Sequence, residues 1–270
     1  MRDDIQIGMI GGGAMAEALI AGLVACGTIP ASHISVSDHK AMRCDELTRK
    51  YGVHAQVGAE SFLPRISVLI FAVKPAAAAA AIRETRDLLR VDAAVLSIVA
   101  GLPIAALEEG YPNHPVVRAM PNTPLAVGAG MSAYACGTYA DDGVSAIAEL
   151  LLGASGRTVR VHESDLDAVT GLSGSGPAYA FLMIEALIEG GVAAGLKRET
   201  ASLLAAQTML GAAQMALVSK HSPADLRAAV TSPAGTTAAG LRVLERAGVR
   251  SALIEAVLAA AERSKELGRA

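Results

Sequence analysis

The amino-acid sequence predicts an α/β Rossmann domain, with a doubly wound and mainly parallel sheet, followed by an all-α domain. Apolar strand-like runs alternate with helix-like segments along the first half, which is typical of a parallel sheet covered by helices on both faces. A glycine-rich turn follows the first run, and the strand pattern stops near residue 160. We therefore expect a dinucleotide-binding Rossmann domain over residues 1–160 and a helical domain over residues 161–270.

Five apolar runs in the first half have the composition of β-strands, and a sixth is a weaker candidate. They cover residues 5–11, 34–37, 68–73, 94–99 and 116–120, with 128–135 as the sixth. The runs VLIFAV and AVLSIV are apolar throughout, as expected for parallel strands buried on both faces. Helix-favouring segments lie at residues 17–27, where Gly27 is a candidate C-cap, and at residues 76–89.

The composition excludes several classes of protein. The net charge is −3 and the Lys and Arg residues are scattered, so we expect no nucleic-acid partner. The three cysteines are far apart and odd in number, and the six histidines contain no H-x-x-x-H pair, so we expect neither a disulfide framework nor a metal site.

The location of the protein is judged from two features of the sequence. The first residues, MRDDIQIG, are charged and lead into a strand-like run rather than into the apolar segment of a signal peptide. We see no apolar stretch long and uninterrupted enough to span a bilayer. We therefore expect a cytoplasmic protein without a membrane partner.

The glycine-rich turn GGGAMA, residues 11–16, has the spacing of a dinucleotide-binding loop. Gly11, Gly13 and Ala16 fit G-x-G-x-x-A, in which the first glycine permits the tight turn and the second lets the backbone approach a pyrophosphate. The small third residue lets the helix pack on the sheet, and the helix N-terminus offers N–H groups to the anion. A glycine turn without a ligand remains the alternative.

The residues after the second strand bear on the choice of cofactor. Asp38 lies where an acidic residue would bind the ribose 2′-hydroxyl of NAD. His39, Lys40 and Arg43 follow it and could hold the 2′-phosphate of NADP. Asp38 could also simply cap the next helix. The sequence leaves these three interpretations open.

Two further loops follow strands at the edge where open α/β sheets bind ligands. AVKP, residues 72–75, follows the VLIFAV run, and MPNTP, residues 120–124, follows VVRAM. Lys74 could face the nicotinamide half of a cofactor, or it could be an ordinary exposed lysine. Asn122 supplies a polar group to the second loop.

The second half of the sequence is helical. Segments 178–196, 201–218, 226–230, 238–247 and 251–267 have helical patterns, and we expect the first of them to be buried because it is apolar all round. Their apolar excess is more than one small helical unit can bury, which favours dimerisation through this half.

The stretch TSPAGTT, residues 231–237, is a turn that leads into a helix beginning near Thr236. Backbone N–H groups at that start and the hydroxyls of Ser232, Thr236 and Thr237 form a site for a small anion such as a carboxylate. A well-capped helix with nothing bound is the alternative.

These segments resemble one enzyme family over essentially the whole chain. LSGSGPAYAF at 172–181, and residues 223–245 read as P-x-x-L-x-x-x-V-T-S-x-A-G-x-T-x-x-G-L-x-x-L-E, resemble the signature region of pyrroline-5-carboxylate reductase. GGGAM, AVKP and RAMPNTP resemble the same family in the same order. The resemblance implies reduction of L-1-pyrroline-5-carboxylate to L-proline with NADPH or NADH. It also implies a helical domain for dimerisation and substrate binding, and homodimers that can assemble into larger rings.

The resemblance also implies the roles of individual residues. The substrate set comprises Glu163, Ser232, Gly235, Thr236 and Thr237. Our own hypothesis is that Thr236 is the catalytic residue and hydrogen-bonds the ring nitrogen. The cofactor residues that the resemblance implies are Gly11, Gly13, Ala14, Met15, Ala72, Val73, Lys74, Pro75, Ile98, Val99 and Ala100. From their own positions after predicted strands we add Ser37, Asp38, Lys40 and Asn122.

The chain departs from the family pattern at three places. Ala234 stands where many members have glycine, and Ala59 where many have asparagine. Asp38 lies in a segment where many members carry arginine, which leaves the preference between NADPH and NADH open. Two rivals remain: another Rossmann reductase of the hydroxyacid or ketopantoate type, whose expected lysine GSGPAYAF lacks, and a dinucleotide sensor without turnover.

Overall fold

The computed structural model describes residues 5–269 and divides into two compact units. Unit 1 comprises the chain up to Ser175 together with the segment from Ala259 onward, and unit 2 is Gly176–Leu258. Residues 1–4 lie outside the described residues. They begin the charged segment MRDDIQIG, from which we expected no signal peptide.

Unit 1 is built on one sheet, which in the described residues has eight strands in the order β3-β2-β1-β4-β5-β6-β7-β8. Only β6 and β7 pair antiparallel. The first six strands have the 3-2-1-4-5-6 order of the Rossmann fold, which confirms the predicted fold class. The strands β1 to β8 are Ile7–Ile10, Ile34–Ser37, His54–Gln56, Val68–Phe71, Ala94–Ser97, Val116–Met120, Gly130–Cys136 and Gly156–Arg160.

Helices cover both faces of this sheet. One buried cluster joins the strands to α1 and α5, and a second joins them to α3 and α4. Strands β1 and β4 are buried at every residue, which explains their continuous apolar runs. The helices α1 to α6 are Ala14–Ala25, Ala41–Tyr51, Ala78–Thr85, Ile104–Gly110, Asp142–Gly153 and Leu166–Val169.

The compact units do not divide at the boundary expected from the sequence. The last strand ends at Arg160, but the segment that follows it belongs to unit 1. Leu166 is buried in the cluster beside the sheet, and a π-helical turn follows at Thr170–Gly174. Ser175, at the end of this turn, has a helical backbone with φ −86° and ψ −23°. The apolar contacts of Leu166 keep this segment with the sheet.

Unit 2 is helical, but its first helix is not buried as the sequence suggested. Among the described residues of this unit, the buried hydrophobic side chains are Ala201 and Ala205, while Phe181 and Leu203 are exposed. The helices are α7 at Gly176–Ala193, α8 at Arg198–Val218, α9 at Pro223–Ala229 and α10 at Thr236–Arg246, and α11 at Val249–Arg269 begins here. Most of the apolar surface of these helices is therefore not covered by this chain itself.

Two segments of the described chain are long and apolar enough to cross a membrane, judged by length and composition alone. They are Glu163–Ala193 and Arg198–Val218. The expectation that no segment reaches this length is therefore wrong. The same property is shared by helices whose apolar faces pack against protein, so it does not by itself indicate a membrane.

A polar cluster joins α1 to α2 around Glu17. The carboxylate of Glu17 accepts hydrogen bonds from Arg43, from Lys50 Nζ at 2.7 Å and from the Tyr51 hydroxyl at 2.8 Å. We call these four residues the Glu17 cluster. The hydrogen bonds from Lys50 and Arg43 lower the pKa of Glu17 to about 2, because they stabilise its charged form.

The loop between α9 and α10 contains a residue with an unusual backbone conformation. Ala234 has φ 58°, in the left-handed region where a Cβ atom approaches the following carbonyl oxygen. At the next position, a Cβ added to Gly235 would lie 2.3 Å from Ser232 Oγ. A Cβ at position 235 would therefore displace the Ser232 hydroxyl, and the left-handed backbone strains the alanine at 234.

The Glu17 cluster predicts a pH-dependent part of the stability. Because the pKa of Glu17 in the folded protein, about 2, lies below the ordinary 4.5, its contribution is complete above pH 4.5 and lost as pH falls toward 2. We expect the thermal midpoint of the wild type to exceed that of Glu17→Gln at pH 6, and the gap to shrink by pH 3. Glu149→Gln, an exposed substitution on α5, is the control; a pH-independent gap for Glu17→Gln would contradict the prediction.

The conformation of Ala234 predicts a stabilising substitution. Ala234→Gly should raise the free energy of unfolding by about 0.5–1 kcal/mol, because relief of left-handed strain exceeds the greater chain entropy of glycine. Ala239→Gly, in the exposed part of α10, should instead lower it by about 1 kcal/mol. Denaturant unfolding of both variants at one protein concentration is the measurement, and equal destabilisation would refute the strain argument.

Candidate functional site

The glycine turn after β1 has the geometry that the sequence pattern requires. Gly11 has φ 97°, its N–H donates to Ser37 O at 2.8 Å, and an added Cβ would lie 2.5 Å from Ala72 O. A Cβ on Gly13 would meet no heavy atom within 4 Å, so the backbone there is open to a close approach. Ala16 is buried where α1 packs on the sheet, as a small third residue allows.

The start of α1 is suited to an anion. Gly13 is the N-cap residue and provides no capping side chain. The first N–H groups of the helix, including those of Ala14 and Met15, therefore keep the capacity to bind a phosphate, and the helix dipole favours negative charge at this point.

Asp38 is held at the carboxyl end of β2 by two backbone groups. Its Oδ2 accepts the N–H of Gly12 at 2.9 Å, and its Oδ1 accepts the N–H of Lys40 at 3.0 Å. The side chain is 11% exposed. Helix α2 begins after Lys40 and has no side-chain cap, so Asp38 does not act as the helix cap that the sequence left open.

A cleft of about 450 Å³ opens beside Asp38. Of the predicted cofactor residues, Gly11, Ser37, Asp38 and Val73 line it. In the loop 57–60, sequence reasoning singled out only Ala59, and it missed the wall formed by Ala77 together with Ala80 and Glu84 of α3. The rest of the loop was missed because it follows β3, whose three residues are too few for a recognisable strand pattern.

The other predicted cofactor residues follow neighbouring strands at the same edge. Residues 72–75 follow β4, residues 98–100 follow β5, and Asn122 follows β6, and the carboxyl ends of these parallel strands face one way. Lys74 is exposed and Val99 is buried, so the side chain of Val99 belongs to the core.

Two polar residues predicted for the site are engaged in contacts within unit 1. Asn122 accepts the N–H of Met131 at 2.8 Å and donates to Ser173 O at 3.2 Å, which holds its loop in place. Glu163 accepts the N–H of Ile104 at 2.7 Å and a hydrogen bond from Arg118 at 3.0 Å. The carboxylate of Glu163 therefore joins the segment after β8 to β6 and to the start of α4.

In unit 2, the loop before α10 presents hydroxyls and free backbone groups together. Gly235 is the N-cap residue of α10 without a capping side chain, and Thr236 and Thr237 are its first two residues. The side chains of Ser232, Thr236 and Thr237 are exposed and make no hydrogen bond within the described part of the chain. This arrangement can bind a small carboxylate.

Comparison with known sequence families matches both parts of the chain. Residues 163–267 match the family described as pyrroline-5-carboxylate reductase dimerisation, and residues 6–101 match the family described as NADP oxidoreductase, coenzyme F420-dependent.

Comparison with individual proteins covers nearly the whole chain. A pyrroline-5-carboxylate reductase from Synechocystis sp. is 46% identical, over 98% of this chain and 99% of the relative. The structure of a pyrroline-5-carboxylate reductase from Coxiella burnetii has a TM-score of 0.91 at 37% identity, over 98% of this chain and 99% of its own. The pyrroline carboxylate reductase of Plasmodium falciparum, solved with NADP bound, has a TM-score of 0.90 at 30% identity. That match covers 99% of this chain and 100% of the other.

The chain therefore resembles these proteins in both sequence and fold, and the resemblance extends along both units. It agrees with the glycine turn after β1 and the hydroxyl loop before α10. On this evidence, the chain belongs to the pyrroline-5-carboxylate reductase family.

Proposed function

We propose that this chain reduces L-1-pyrroline-5-carboxylate to L-proline by hydride transfer from NAD(P)H, the last step of proline biosynthesis. The observation that carries the proposal is the start of α10, where three hydroxyls and the backbone N–H groups lie together with no hydrogen-bond partner among the described residues. A small cyclic imine with a carboxylate matches that chemistry. Membership of the family identifies pyrroline-5-carboxylate as the cyclic imine proposed to bind there.

The residues of unit 1 fit a dinucleotide. The absence of a side chain at Gly13 leaves room for a pyrophosphate, and the α1 N-terminus supplies the N–H donors. The cleft beside Asp38 has apolar walls from α3 that suit the flat face of an adenine, while residues 72–75 and 98–100 suit the nicotinamide half. A reduced nicotinamide, when bound, supplies the hydride.

The loop before α10 is proposed to bind and orient the substrate. Its backbone N–H groups, with Ser232, hold the carboxylate, and Thr236 hydrogen-bonds the ring nitrogen. Because an iminium accepts hydride better than a neutral imine, a hydrogen bond at this nitrogen favours the charge that develops there. Catalysis then comes mainly from positioning and electrostatics, with the ring proton drawn from solvent.

The described part of unit 1 offers a different role for Glu163 from the one that the resemblance implies. Both of its known partners, Ile104 and Arg118, lie in unit 1, so we propose that it supports the strand-end loops rather than binding substrate directly. Residues 161–270 remain the proposed dimerisation and substrate-binding half.

We also propose that the uncovered helices of unit 2 are buried against a second copy of the chain. The match to a dimerisation family over residues 163–267 supports a protein partner rather than a bilayer for these apolar helices. We propose a cytoplasmic homodimer that is able to assemble into a larger ring.

The proposed role of Thr236 predicts a loss of turnover. Thr236→Val keeps the branched shape and removes the hydroxyl, so kcat should fall about 100-fold, as for other donors at a developing charge. Thr237→Val is the matched control, expected to raise KM with a smaller effect on kcat. The reverse result would move the role to Thr237, the threonine that the family pattern specifies.

The proposed reaction is tested by mixing the purified protein with NADH or NADPH and following absorbance of the reduced cofactor. Oxidation that requires added pyrroline-5-carboxylate, with proline as the product, is the expected outcome. Folded protein that binds a cofactor but shows no turnover would instead support the sensor interpretation.

A further inference from the structure

We propose that this chain selects NADH over NADPH, and that Asp38 is the residue that determines the choice. The proposal rests on the proposed function only for the class of cofactor. Three features of unit 1 carry it: the fixed position of the Asp38 carboxylate, the engagement of the nearest arginine, and the sign of the charges that line the cleft.

The carboxylate of Asp38 is oriented before any ligand binds. The N–H groups of Gly12 and Lys40 each bind one of its oxygens, at 2.9 and 3.0 Å, and each oxygen keeps a further lone pair. A charged carboxylate held in this way at the end of β2 accepts ribose hydroxyls well. A 2′-phosphate at the same place would be repelled by the Asp38 carboxylate, which its two hydrogen bonds hold in position.

Arg43, the arginine that would ordinarily compensate for that charge, is already engaged. Its Nε donates to Gly12 O at 2.7 Å, one Nη donates to Glu46 at 2.8 Å and the other to Glu17. Both carboxylates neutralise the guanidinium, and Glu17 is itself fixed by Lys50 and Tyr51. A phosphate would have to compete with two carboxylates for this side chain.

The lining of the cleft adds charge of the same sign as Asp38. Glu60 and Glu84 lie on its walls, and the residues that line it, all within the described chain, include neither lysine nor arginine. Lys40 contributes its backbone N–H to Asp38, while its ammonium is exposed on a flexible stem. His39 lies 3.4 Å from Asp38 and adds positive charge only when protonated.

The test measures affinity directly, by calorimetric titration of the full-length protein with NADH and with NADPH at about 0.15 M salt. Because a like charge opposite the 2′-phosphate disfavours binding of NADPH, we expect the Kd for NADPH to exceed that for NADH about tenfold or more. Asp38→Asn, which keeps the shape and removes the charge, should reduce this ratio about tenfold. Asp38→Ser is a second variant with the same expected direction.

Asp45→Asn is the matched control, because it makes the same change of charge at an exposed position of α2 and makes no contact with the glycine turn. We expect it to leave the ratio unchanged. An equal shift with Asp45→Asn would show that net charge rather than Asp38 sets the preference, and would overturn the assignment.

The outcomes also separate this inference from the proposed reaction. A wild-type protein that binds NADPH as tightly as NADH, or more tightly, overturns the inference even where pyrroline-5-carboxylate is reduced. Selective binding of NADH without any reduction of pyrroline-5-carboxylate supports the inference and defeats the proposed function. The wild-type ratio alone decides the selectivity if a variant at position 38 does not fold.

Discussion

The left-handed turn at Gly11 is the constraint on which the cofactor edge of unit 1 depends. At this residue the end of β1 is joined to β2, through the N–H of Gly11 and Ser37 O, while Ile10 O accepts the N–H of Ala72 beyond β4. Any Cβ at Gly11 would collide with Ala72 O, so these three strand ends meet only because that atom is absent. The direction of α1, the place of Asp38 and the shape of the cleft all follow from this meeting.

The same edge shows how a residue's surroundings change its chemistry. An arginine close to the glycine turn is usually a candidate for binding phosphate. Here α1 and α2 place Glu17 and Glu46 against Arg43, and the guanidinium serves to hold the two helices and the turn together. Asp38 is bound instead by the N–H groups of Gly12 and Lys40. Identical residue types with another pairing would favour a different cofactor.

Unit 2 differs from unit 1 in how little of its apolar surface is buried. Its helices are apolar enough to pass for membrane spans, yet its buried core within the described chain is limited to two alanines. A helical unit with so little core of its own gains little stability from burial alone. The stability of this unit, including the hydroxyl loop before α10, therefore depends on how the exposed apolar faces of its helices are covered.

The sequence by itself determined the strand and helix rhythm, the glycine turn, the hydroxyl loop before α10 and the family, because these are set by local periodicity and by short motifs. It could not locate β3 or the cleft walls at residues 57–60, because a three-residue strand carries too little pattern. It left open whether Asp38 binds the ribose of NAD or Lys40 and Arg43 bind the 2′-phosphate of NADP, because side chains close in sequence can point in different directions. Only the tertiary structure decided that Asp38 binds the turn while Arg43 pairs with Glu17, since hydrogen bonds between residues 26 positions apart depend on how the helices pack.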